Sequence, residues 1–319
     1  MKKLACIGLL ATAFVAAGTS AHAQAFVSSN GSDANACTQA APCATFAHAI
    51  SVISDGGSIQ CLNSGQYGNT TLTITKSVTI DCGFGNVGRM DLSGGGTVGI
   101  NINVSSPANI ILRHLNINGV NTATNINGIV TTNLPGGQLV IENSTIGGFT
   151  GSGSSGVGIL FTPNTGSPNG RATLYLSNTE VAANNIGVSV APASGQIASV
   201  LFANAVIAGN TGDGLDLTGA GTIAGDMRQS VVAASGANGI VASSTSGVFF
   251  TIEGSTIVAN LGVGIETSSS TANVDVGAST IGANGTGVKP LLGSLTSFGD
   301  NHMSANGSNG TFTSTTALQ

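Results

Sequence analysis

Hydrophobic and polar positions recur along this chain on a long period. An apolar residue anchors each unit: Ile117, Ile146, Val181, Ile207, Val232, Ile257 and Ile281. The last five are separated by 26, 25, 25 and 24 residues. The earlier steps, 29 and 35, carry extra Gly/Ser/Asn/Pro-rich sequence such as TPNTGSPNG at 162–170, the kind of insertion that maps to loops. Five residues before each anchor stand Leu112, Ile141, Leu176, Phe202, Met227, Ile252 and Val276. Seven before it stand Ile110, Leu139, Leu174, Val200, Gly225, Phe250 and Val274. The position between is mixed, with Tyr175, Asp226, Thr251 and Asp275. That alternation predicts a short strand with one buried face. About eight residues after the anchor a Gly–aliphatic pair predicts another strand. Gly214-Leu215, Gly239-Ile240 and Gly264-Ile265 share one offset, while Gly187-Val188 and Gly287-Val288 are one residue out of step.

One such unit cannot bury its own apolar face. Stacked units can, each strand bonding to its equivalent about 4.8 Å above and below. The pattern therefore predicts an all-β parallel β-helix, and the lack of helix-length amphipathic units excludes the helical solenoids. Two polar columns accompany the strands. His114, Asn143, Asn178, Asn204 and Gln229 lie three residues before the anchor; Asn184, Asn210, Ser235, Asn260 and Asn284 lie three after it. Asparagine tolerates left-handed turns, and its amide both donates and accepts, so such a column can form a ladder. Open sheet edges need covering. TFAHAISVI sets Phe46, Ala49, Ile50 and Ile53 on one helical face, with Thr45 as N-cap, which suits a short N-terminal capping helix. The expected organisation is a leader over 1–23, a cap over 24–56, the β-helix over 57–299, and a C-terminal cap or loose tail over 300–319.

Composition adds the compartment. Lys2 and Lys3 precede the apolar run LACIGLLATAFVAAG, and Ala21-His22-Ala23 fits a small-residue cleavage site. Cleavage after Ala23 is expected, giving a secreted or periplasmic protein with no later membrane span. Six basic residues then face 13 acids, a net charge of −7, which disfavours nucleic acid and anionic membranes as partners. Cys37, Cys43, Cys61 and Cys82 remain, an even count that fits two disulfides in an oxidising compartment. Three pairings exist. Cys37–Cys43 closes the short loop CTQAAPC. Cys61 and Cys82 occupy matching strand positions 21 residues apart, so stacking brings them within disulfide reach. No metal site or cofactor is expected from the Cys and His spacings.

Three stretches resemble the opening of exported bacterial right-handed parallel β-helix repeat proteins of the pectate-lyase-like superfamily. They are FVSSNGSDANACTQAAPCATFAHAI, GGSIQCLNSGQYG and TITKSVTIDCG. The later units NSTIGG and GSTIVANLGVGI, with SFGDN near the end, resemble its generic repeats. The resemblance implies a single-stranded right-handed parallel β-helix. It does not imply one activity, because lyases, hydrolases, epimerases, adhesins and phage proteins share the fold. The paired aspartates, Gly-His-Gly and Arg-x-Lys expected of polygalacturonase-like members do not occur.

Candidate chemistry sits on two outward columns. Arg113 and Glu142 occupy successive units, as do Arg228 and Glu253, which reads most simply as cross-coil ion pairs on a solvated face. The strand after the Gly–aliphatic pair presents Val130, Leu160, Ser189, Asp216, Val241, Glu266 and Lys289. Asp216 and Glu266 lie two coils apart, about 9.6 Å, near the acid–base spacing of inverting glycosidases. They are the candidate catalytic pair, with Lys289 and Asp213 as candidate substrate-binding residues. Asp213 lies in TGDGLDL, a single faint copy of a calcium-type glycine–aspartate motif. The expected function is a noncatalytic surface or extracellular scaffold, or a glycan-binding protein; the alternative is a polysaccharide lyase or glycoside hydrolase working in a groove. The expected partner is a polysaccharide or cell-surface glycan, bound by a monomer. A β-type far-UV circular dichroism spectrum is expected, and one dominated by helical signal would overturn the solenoid.

Overall fold

In a computed structural model, residues 23–316 are described, apart from 84, 94–97, 121–125, 154 and 165–169. The expected leader thus lies outside the described residues, save Ala23. The rest winds into a right-handed parallel β-helix of three sheets. Among the described residues, sheet A has 12 strands, sheet B 10 and sheet C 9. Each coil visits them in turn: Asn109–Arg113 lies in A, Leu115–Gly119 in B, Asn127–Asn133 in C, and Gln138–Glu142 returns to A.

The apolar columns read from the sequence are the core. Ile117, Ile146, Val181, Ile207, Val232, Ile257 and Ile281 stack in register along sheet B, all fully buried. Sheet A stacks Leu112, Ile141, Leu176, Phe202, Met227, Ile252 and Val276 the same way. Each such aliphatic contributes roughly 1.5–3 kcal/mol by leaving water. Gly225, the break in its column, has a local reason. A Cβ there would stand 1.8 Å from the Val200 carbonyl oxygen. On the coils either side, Phe202 and Phe250 lean together edge to face, ring centroids 6.3 Å apart.

The two polar columns divide their work. His114, Asn143, Asn178, Asn204 and Gln229 hold the left-handed turn between sheets A and B, with φ of 47–55°. The four amide side chains of this column are exposed and build no ladder. The column after the anchor is buried and does build one. Asn284 Oδ1 accepts from the Asn260 backbone N–H at 3.1 Å and from its Nδ2 at 2.8 Å, while Asn284 Nδ2 donates to Asn306 Oδ1 at 3.1 Å. Asn260 Oδ1 accepts from Ser235 N at 3.0 Å, and Asn210 Oδ1 from Asn184 N at 3.0 Å. Nδ2 of Asn260 and Asn284 also reaches the anchor carbonyl one coil back, Val232 O and Ile257 O. Serine at 235 is too short to continue this. Asn210 Nδ2 and Ser235 Oγ are buried without a partner among the described residues.

The Gly of each Gly–aliphatic pair exists because of this ladder. A Cβ on Gly239 would lie 2.6 Å from Gly264 O and 2.8 Å from Asn260 Nδ2; one on Gly264 would lie 2.6 Å from Gly287 O and 2.9 Å from Asn284 Nδ2. The glycines out of step in the sequence are absorbed by the turns, since Val188, Leu215, Ile240, Ile265 and Val288 pair in one register. A second buried ladder of hydroxyls escaped the sequence reading. Ser230, Ser255 and Ser279 each accept, through Oγ, from the backbone N–H of the preceding coil at 3.1–3.2 Å.

At the N-terminal end, α1 (Phe46–Val52) covers the first coil with Phe46, Ala49 and Ile50 buried. Thr45 caps it, accepting from His48 N at 3.1 Å. Lys76 Nζ donates to the carbonyls of Ile50 and Ile53 at the other end, at 3.0 and 2.8 Å. Disulfides join Cys37 to Cys43 and Cys61 to Cys82, with Cα separations of 4.7 and 4.6 Å. Within 300–316, where the sequence pattern is lost, His302–Ser304 still extends sheet B and Ser314–Thr315 extends sheet A. Met303 replaces the aliphatic anchor there and Asn306 carries the ladder on, substitutions the apolar pattern does not detect.

Two variants test the ladder by thermal or urea unfolding. Ser235→Asn supplies the missing amide and is expected to stabilise by about 1 kcal/mol. Asn260→Ala strands the Ser235 N–H and the Val232 carbonyl and is expected to cost about 2–4 kcal/mol. Equal, small effects from both would refute the ladder as a structural support.

Candidate functional site

Sheet C carries the outward column expected from the sequence. Val130, Leu160, Ser189, Asp216, Val241, Glu266 and Lys289 follow one another in register. Asp216 faces out because its strand neighbours Leu215 and Leu217 both point into the core, fully buried. Glu266 is placed likewise between the buried Ile265 and Thr267. The column is not uniformly solvated, however. Val130 and Ser189 are buried.

Around Asp216 the surface folds into a cleft of about 320 Å³. Its walls are apolar, from Val157, Leu160, Ile186 and Ala191; its polar groups are Ser189, Thr218 and Asp216. The insertion after Gly147 supplies Gly153 to the rim. Asn185 holds that insertion in place, Nδ2 donating to Gly153 O at 3.1 Å and Ser155 O at 2.8 Å. The volume lies within the range of small-ligand sites, and apolar walls with few polar groups are their usual makeup. Val157, Leu160 and Ile186 were the missed signal: three outward aliphatics on two successive coils.

Burial, and then the nearby Asp213 charge, push the Asp216 carboxyl up to about 6. Among the described residues no donor reaches that carboxyl. Asp213 is engaged: its Oδ1 accepts from Asn238 N at 2.8 Å, and Asn238 Oδ1 accepts from Val263 N at 2.8 Å. The pair thus trims the sheet edge coil by coil. Glu266 and Lys289 lie outside the cleft lining. They form an ion pair, Lys289 Nζ to Glu266 Oε2 at 3.8 Å, and Val241 stands between Asp216 and Glu266 in the column. Of the four candidates the structure therefore sets Asp216 alone in the cleft lining, with Asp213 near enough to act on its charge, and leaves Glu266 and Lys289 apart.

Further ion pairs lie on solvated faces. Arg113 bonds Glu142 across one coil step. Arg228 lies 3.5 Å from Asp226 and 3.9 Å from Glu253, both its own side chain and that of Glu253 more than half exposed. They rim a groove of about 350 Å³ that opens where the turn column shrinks from Gln229 to Gly254 and Ala278. His114 Nδ1 meets Asp81 Oδ1 at 2.8 Å. Cys37, Cys43 and His48 come within 4.8 Å of one another. The two sulfurs are joined in a disulfide and offer no thiolate to a metal. Among the described residues no helix is long and apolar enough to cross a membrane.

Asp216 burdens the fold, and the sign follows from linkage. Its folded carboxyl holds a proton more tightly than the unfolded one, whose ordinary value is 3.8. The native state is therefore relatively favoured at low pH, and stability falls as pH rises from about 4 to about 6. Asp216→Asn removes that term, with a ceiling of about 3 kcal/mol. The variant is expected to melt higher than the wild type near pH 7.5 and at the same temperature near pH 4. A pH-independent difference would show that the carboxyl is not held protonated by its surroundings.

No protein-family description matches this chain, and no curated protein sequence does either. Solved structures do. Pectate lyase Pel9A superposes with a TM-score of 0.68 at 16% identity, over 92% of this chain and 78% of its own. The A-module of the Azotobacter vinelandii mannuronan C-5 epimerase AlgE4 follows at a TM-score of 0.51 and 12% identity, over 83% of this chain and 91% of its own. The Dettilon tailspike protein scores 0.50 at 16% identity, over 78% of this chain and 49% of its own. At such identities the likeness is one of fold: this chain shares the right-handed parallel β-helix of these proteins.

Proposed function

We propose that the protein is an exported, noncatalytic β-helix that holds a polysaccharide or cell-surface glycan in the Asp216 cleft of sheet C. The observation that carries this is the cleft's makeup. Aliphatic walls suit the C–H faces of sugar rings, while the Ser189 and Thr218 hydroxyls and the Asp216 carboxyl offer hydrogen bonds. A polymer of hydroxylated rings can follow a column that repeats every coil. Two structural neighbours are named for acting on pectate and mannuronan, which agrees with a carbohydrate partner. Two disulfides fit a secreted or periplasmic setting.

A second reading has its own support. A carboxyl that titrates near neutrality is suited to general acid or base catalysis. With Glu266 as partner, Asp216 would then serve a polysaccharide lyase or glycoside hydrolase.

A polysaccharide panel assayed for binding, reducing ends and unsaturated products separates the two. Binding without turnover is expected, and Ala191→Arg, which fills the cleft, is expected to weaken it by at least about tenfold with the melting temperature kept. Unchanged binding in that variant would rule out the cleft. Turnover that falls by about 100-fold or more in Asp216→Asn would replace the first reading with the second.

A further inference from the structure

We infer that the Asp216 cleft takes an uncharged glycan and refuses a polyuronate. The inference rests on the glycan-binding reading and deepens it. Asp216 lines the cleft, and Asp213, three residues before it and held by Asn238 N at 2.8 Å, is near enough for its charge to act on that carboxyl. A uronate carboxylate bound there would meet like charge in a partly desolvated, apolar-walled site, where repulsion is poorly screened.

Nothing nearby offsets it. Among the described residues Lys289 is the one basic residue in a sheet C strand. It lies three rungs from Asp216, about 14 Å along the column, beyond the Debye length. Its charge is already matched by Glu266. The remaining basic residues lie off sheet C and are engaged. Arg89 pairs with Asp91, Arg113 with Glu142, and Arg228 with Asp226 and Glu253. Arg171 donates to Ser199 Oγ at 2.6 Å, and Lys76 is bound to the carbonyls that end α1. The scaffold is shared with proteins named for pectate and mannuronan, while this cleft has the wrong charge for such polymers.

Isothermal titration calorimetry with the full mature chain tests it. The neutral probes are the hexasaccharides of cellulose, xylan and mannan; the acidic probes are hexagalacturonate and hexamannuronate. Near pH 7.5 at least one neutral probe is expected to bind about tenfold or more tightly than either acidic one. Near pH 5, where Asp216 takes up its proton, the gap is expected to narrow. In the Asp213→Asn/Asp216→Asn double variant the ratio of neutral to acidic affinity is expected to fall about fivefold or more near pH 7.5 and to lose its dependence on pH. Acidic probes that bind as tightly as neutral ones near pH 7.5 would overturn this inference and leave the glycan-binding reading standing. So would a preference for neutral probes that the double variant leaves unchanged. Binding of no probe would remove both.

Discussion

A buried amide in the lap of a glycine is the contact on which this architecture turns. Each ladder asparagine sits against a sheet C glycine, so close that a methyl group on that glycine would collide with the amide and with the next glycine's carbonyl. The amide in turn satisfies backbone N–H and C=O groups in a turn that the core leaves dry. Unpaired, such groups would cost about 1–3 kcal/mol each. The two residue types therefore require each other, and together they set the distance between sheets B and C. The aliphatic columns supply most of the favourable free energy, but aliphatics alone tolerate shifts in register. Amides that must meet donors on both neighbouring coils do not.

That constraint also places the cleft. The glycine stands second in most sheet C strands or just before the strand, so the outward residues that follow take their position from the ladder. The insertion after Gly147 adds Gly153 to the rim and lengthens a turn without disturbing the stack, as loops on a solenoid can. Rigid rungs and one grafted loop thus produce a concave surface on an otherwise flat sheet. The raised carboxyl of Asp216 is the local cost.

The fold was legible because its signal is periodic. Ile207, Val232, Ile257 and Ile281 repeat often enough to give both the strand and the step between strands. The cap helix was legible because Thr45 and the Phe46–Ala49–Ile50 face obey local rules. The asparagine ladder was half legible. Composition does not separate an exposed left-handed turn at Asn178 from a buried rung at Asn184, since both are asparagines at a fixed distance from an anchor. The cleft was hidden for a different reason. Asp216 and Glu266 share a column, and the one-dimensional pattern treats them alike. Val157, Leu160 and Ile186 on the two preceding coils, with Gly153 at the rim, make the surroundings of Asp216 apolar, while Glu266 is left to its lysine.

Both cross-links and the only helix among the described residues gather in the first coils, between Cys37 and Cys82. Winding that starts at the amino end would therefore build on a cross-linked foundation. Every later turn finds a finished edge of hydrogen-bonding groups waiting, and needs only to lie down upon it. Assembly of this kind would be directional, like courses of brick on a footing.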